Sequence, residues 1–130
     1  MKREIKFRAK HNGESFWVYG ELHQNCRIQH IHDEFNQSYK IDTNTIGQYT
    51  GLKDKNCVEI YEGDIVKAPL LDPIFRDIIK DAFINAEIKF NQGSFVVSYY
   101  KGEHNIYLSD LCNKVEVIGN IYDNKDLLED

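Results

Sequence analysis

Four acidic side chains, Asp54, Glu59, Glu62 and Asp64, lie close together in the sequence, and a hard metal ion needs several oxygens at one point. Asp54-Lys55-Asn56 starts like a calcium loop, but that loop's glycine and closing glutamate are not at their positions. The four carboxylates are therefore expected to cap backbone amides at turns and strand ends. His30 and His32 fall on one face of a strand, a spacing that suits zinc. Further ligands would have to come from His23, Cys26 or His104, all remote, and histidines beside a polar loop are ordinarily solvated. A nucleophile built on Cys26 or Cys112 with His23 or His104 has no local signature. There is neither a glycine-rich phosphate loop nor a G-x-S-x-G elbow. No catalytic residue, cofactor or metal is assigned, and the chain is expected not to be an enzyme.

Binding chemistry has more to work with. Lys2, Lys6, Arg8 and Lys10 alternate onto one face of the first strand, and Tyr49, Lys53 and Tyr61 extend the candidate surface. Small barrels bind single-stranded nucleic acid through such aromatic and basic faces, at about 1–3 kcal/mol per stacked base. The balance of charge opposes it: 16 Lys and Arg against 21 Asp and Glu leave a net charge of -5. Lysines on a solvated edge strand, placed against self-pairing, account for the same residues. Nucleic acid is thus the alternative partner, and an unidentified protein or a second copy the preferred one.

Short strands carry most of these residues. Residues 4–9 alternate, with Ile5, Phe7 and Ala9 on the face opposite the basic one. Further strands are predicted at 16–22, 27–31, 38–41, 45–49, 58–61, 64–68, 86–90, 95–100 and 115–121, with a tight hairpin at Asn91-Gln92-Gly93-Ser94. A helical turn is expected over 125–129. Many short strands between turn signals indicate an all-β barrel or sandwich in one domain spanning 1–130. Gly63 and Gly119 stand where a strand prefers a side chain, so a bend or close approach is expected at both.

One segment departs from this pattern. Asp72 suits an N-cap and Pro73 a first helical position. Ile74, Phe75, Ile78, Ile79, Ala82 and Phe83 then follow at i, i+3 and i+4. An amphipathic helix is predicted over 73–83, inserted between strands. Its stripe of Ile74, Phe75, Ile78, Ile79 and Phe83 either caps the barrel's own core or meets a partner or second copy.

Length and composition agree with a soluble domain: 130 residues, 42% of them apolar. No apolar run reaches the ~20 residues of a membrane span, and no secretory signal follows the start. Three cysteines without a C-x-x-C pair are expected to be reduced thiols in a cytosol.

The run from Ile46 to Asn56, Ile46-Gly47-Gln48-Tyr49-Thr50-Gly51-Leu52-Lys53-Asp54-Lys55-Asn56, continues through Glu59-Ile60-Tyr61-Glu62-Gly63-Asp64-Ile65-Val66. With Ile5-Lys6-Phe7-Arg8-Ala9 before it and Val117-Ile118-Gly119-Asn120-Ile121-Tyr122 after it, this resembles the YopX family of phage and prophage proteins. The resemblance implies a small SH3-like barrel or roll, an origin in a bacteriophage or prophage and work in the bacterial cytoplasm. It supplies no established activity and no site residue. Family members have Asn-Gly in the turn where this chain has Asn56-Cys57. Asn56 is expected to carry the positive φ of that turn, since Asn tolerates it better than Cys.

Overall fold

The computed structural model describes residues 5–25, 28–33, 35, 37–72, 74, 75 and 77–128. Lys2, Cys26 and Pro73 lie outside the described residues. The chain divides into two compact units, Met1–Gly51 and Leu52–Asp130.

The first unit holds β1 (Phe7–Lys10), β2 (Trp17–Asn25), β3 (Ile28–His32), β4 (Ser38–Lys40) and most of β5 (Gly47–Lys53). These strands lie in the order β4-β3-β2-β1-β5, and the pairings of β1 through β4 are antiparallel. On β1 the inward residues are those the sequence predicts, but Arg8 on the opposite face is buried as well. Ala9 is buried with Val18, Ile31 and Ile41, and Phe7 packs against them.

The second unit adds β6 (Glu59–Tyr61), β7 (Asp64–Leu71), β8 (Ile78–Asn91), β9 (Ser94–Tyr99), β10 (His104–Tyr107) and β11 (Glu116–Asn120). Five of these make an antiparallel sheet in the order β10-β9-β8-β7-β11. Val66 and Ala68 of β7, Ala86 and Ile88 of β8, and Val97 and Tyr99 of β9 face one core. Leu108 and Leu111 of the short helix α1 (Leu108–Leu111), with Val115, cover it. The protein is mainly β, as expected, but its strands form open sheets with edges rather than a closed barrel. The predicted turn at Asn91–Ser94 is present, with positive φ at both Gln92 and Gly93, the combination a two-residue hairpin favours. A 3-10 turn occupies Lys125–Leu128.

The inserted helix is not formed. Ile78 to Asn91 is one long strand paired with β7 on one side, and the chain before it turns back on itself. Asp72 does cap: its Oδ1 accepts from the Ile74 and Phe75 amides at 2.8 and 2.9 Å. The Asp72 N–H, however, donates to the Asp77 carbonyl at 2.7 Å, which closes a loop instead of opening a helix. A bulge hides the strand's period. Asp81 has φ +60°, and the register against β7 slips between Leu71↔Ile78 and Pro69↔Phe83. Ile78 and Phe83, five residues apart, consequently share a face that a regular strand would deny them.

A second correction concerns the turn after β5. Cys57, not Asn56, takes the positive φ of +65°. The Cys57 N–H donates to the Asp54 carbonyl and the Asp54 N–H to the Val58 carbonyl, so the left-handed position falls on Cys57. Cys57 is solvent-exposed and loses no packing when truncated. Cys57→Gly is expected to stabilise the protein by about 1 kcal/mol, read from urea unfolding. A neutral or destabilising result would contradict the assignment of strain to Cys57.

Candidate interaction surface

The end of the β7–β8 hairpin carries an exposed apolar group. Strand pairing places Ile78 opposite Leu71 and Phe83 opposite Pro69, so Ile78 and Phe83 extend one face. Ile74 and Phe75 in the turn are 78% and 75% exposed, while Phe83, Ile78 and Ile79 are 50%, 44% and 39% exposed. Leu108 and Leu111 of α1 belong to the second unit's core, and none of these five residues does. Polar and packed neighbours border the group. The Lys67 ammonium lies 4.7 Å from the Phe83 ring centroid, and Ile79 borders a cavity of about 160 Å³ with Leu70, Leu71 and Tyr99. The Tyr99 hydroxyl donates to the Pro69 carbonyl at 3.0 Å and anchors the base of the hairpin. Burial, reinforced by neighbouring Tyr100, pushes Tyr99's pKa up to about 12. The paired amides of Phe75 and Ile74 hold the Asp72 carboxyl below its ordinary 3.8.

The residues of the basic face are distributed differently from the sequence expectation. Lys6 and Arg8 are in the first unit with Tyr49, and Lys53 and Tyr61 are in the second. Arg8 is only 6% exposed, its guanidinium 4.7 Å from the centroid of Trp17. Lys10 lies over the same ring at 5.7 Å, and Lys6 over Tyr49 at 5.0 Å. Tyr49 and Tyr61 are buried and offer no face for stacking. Sequence reasoning missed Trp17, whose signal was its cross-strand position in a hairpin with β1: it pairs with Lys10 and is two residues from Tyr19, which pairs with Arg8. Beside these side chains is a cleft of about 810 Å³ whose wall includes Lys6, Phe16, Trp17, Tyr19, Phe35 and Asp33.

Of the four acidic residues, Asp54 and Asp64 cap backbone as expected, while Glu59 accepts from the Tyr61 hydroxyl at 3.5 Å. Asp54 is buried, and its Oδ1 accepts from the Asn56 and Val58 amides at 2.8 and 2.9 Å while Oδ2 accepts from Val117 at 2.9 Å. Asp64, also buried, accepts from the Tyr61 amide at 2.7 Å. Among the described residues no three His, Cys, Asp or Glu side chains converge to hold a metal ion. The side chains of His23, His30 and His32 lie outside those described, as does Cys26. Cys57 and Cys112 are free thiols. A cleft of about 740 Å³ in the second unit is lined by Glu87, Lys89, Ser98, Glu103 and Lys125, with Ser98 opposite Glu87 on the neighbouring strand. Desolvation raises the Glu87 pKa there, with Lys89 opposing and Glu62 adding to the shift. No helix of the described residues is long and apolar enough to cross a membrane.

A family model described as YopX protein matches residues 4–129. A crystal structure of protein EF1440 from Enterococcus faecalis is similar with a TM-score of 0.56 at 23% identity, covering 98% of this chain and 100% of that one. It shares the fold. No curated protein matches.

Proposed function

The chain belongs to the YopX family, and from that premise we propose that it is a non-enzymatic interaction module, encoded by a phage or prophage and working in the cytoplasm of the bacterial host. The observation that carries this role is the uncovered apolar end of the β7–β8 hairpin, with Ile74 and Phe75 more than 70% exposed. Contiguous apolar surface on a soluble protein is ordinarily kept for a partner.

One observation favours a second role, binding single-stranded nucleic acid. The first unit sets Phe16, Trp17, Tyr19 and Phe35 around one cleft with Lys6, an aromatic and basic combination suited to stacking. Glu21 and Asp33 in the same wall and the net charge of -5 work against a phosphate backbone.

Two measurements separate the roles. A hydrophobic dye such as anilinonaphthalene sulfonate should bind the folded protein and lose most of that binding in Phe75→Asp. A labelled oligonucleotide should bind weakly at every salt concentration. Tight binding that falls steeply with salt, together with a dye signal indifferent to Phe75→Asp, would favour the nucleic-acid role.

A further inference from the structure

We propose that the apolar end of the β7–β8 hairpin is a homodimer interface, occupied by the same face of a second copy of this chain about a two-fold axis. The inference rests on the interaction-module role above and names its partner.

Area is the first argument. With the exposures given, Ile74, Phe75, Ile78 and Phe83 leave on the order of 500 Å² uncovered, taking about 150–250 Å² for a large side chain. Two such faces brought together remove on the order of 1,000 Å², where specific interfaces begin.

The rim supplies the second. Asp77, Lys80 and Asp81 are exposed around the apolar group, so both signs of charge flank it. A rim of mixed sign complements itself across a two-fold axis, whereas a rim of one sign would ask for an oppositely charged partner.

The strand edge decides the geometry. β9 pairs with β8 only from Glu87 to Asn91, and among the described residues no strand lies beside the earlier part of that edge. Lys80 and the bulge at Asp81 are devices that blunt an edge against strand addition. Face-to-face packing, a closed arrangement, is left as the mode of association, and open-ended growth through the sheet is opposed.

Sedimentation equilibrium on the full chain, from low micromolar to near-millimolar concentration, tests the proposal. Wild type is expected to pass from a 15.3 kDa monomer to a dimer and stop there. Phe75→Asp should stay monomeric throughout with an unchanged melting curve, because its side chain lies outside the core. Lys80→Asp, which replaces a rim cation with an anion beside Asp77 and Asp81, should raise the dissociation constant at least tenfold, an effect of about 1.4 kcal/mol. A wild type that remains monomeric overturns the dimer. If Phe75→Asp then melts like wild type, the face is free for a different protein and the module role stands. If Phe75→Asp unfolds the chain, the face belongs to the monomer's own core and both proposals fail. Dimers in wild type and Phe75→Asp alike, or association that never saturates, also overturn it.

Discussion

Asp54→Ala is expected to cost about 3–5 kcal/mol, because the substitution strands three backbone amides at once, each worth about 1–3 kcal/mol when left unsatisfied. Two of the amides, those of Asn56 and Val58, shape the turn, and the third, that of Val117, ties β11 to it. The Lys55 N–H to Val115 carbonyl bond at 3.1 Å runs beside this connection and would lose its support. Asp54→Asn keeps one acceptor oxygen but turns the other into a donor, so it should cost less than Ala and more than a surface change. The loss must be followed by circular dichroism or amide exchange. The single tryptophan, Trp17, belongs to the first unit and does not report on the second directly. An Asp54→Ala loss below about 1 kcal/mol would mean these amides find water or other partners.

Gly119→Val is expected to destabilise by about 1–3 kcal/mol, the usual cost of forcing extra atoms into filled space. A Cβ at position 119 would stand 2.6 Å from Asn124 Oδ1, 2.9 Å from its Cγ and 3.0 Å from its Cβ. The oxygen can swing away, but the Asn124 Cβ is fixed to a turn whose backbone bonds that of Asn120 at 2.8 Å. Moving the side chain also gives up its own 3.3 Å bond from the Asn120 amide. Asn124→Ala removes the two nearest atoms, so the double variant should be more stable than the sum of the single losses predicts. Additive losses, or a Gly119→Val protein that melts like wild type, would refute the close approach.

Both positions were legible before any coordinates. Gly119 interrupts an apolar strand run and Asp54 precedes a turn, and local chemistry of that kind survives folding. β1 was legible from its alternating sequence and β9 from its run of aromatic and β-branched residues. What the sequence concealed depends on residues far apart in the chain. Ile74 to Phe83 carries helical spacing and a capping Asp72, yet pairing with Leu71 and Pro69 makes its larger part a strand, and the Asp81 bulge masks the alternation. β10 and α1 carry too few residues for a period to show, and Leu108 and Leu111 become core only once β9 lies beneath them. Arg8 has the pattern of an outward-facing cation, but Trp17 across the hairpin covers it. The assignment of the left-handed residue to Cys57 follows from a hydrogen-bond ladder that residue preference alone does not specify.

The account turns on one claim: the apolar end of the β7–β8 hairpin is surplus to the monomer's own fold. Replacing Ile78 and Ile79 together with Glu and recording a thermal melt by circular dichroism tests it most directly. The double variant is predicted to keep the β spectrum and to melt within a few degrees of monomeric wild type, since charges at half-exposed positions remain in water. A chain that loses its cooperative transition would show that the charges had been forced into a core, and would contradict the claim.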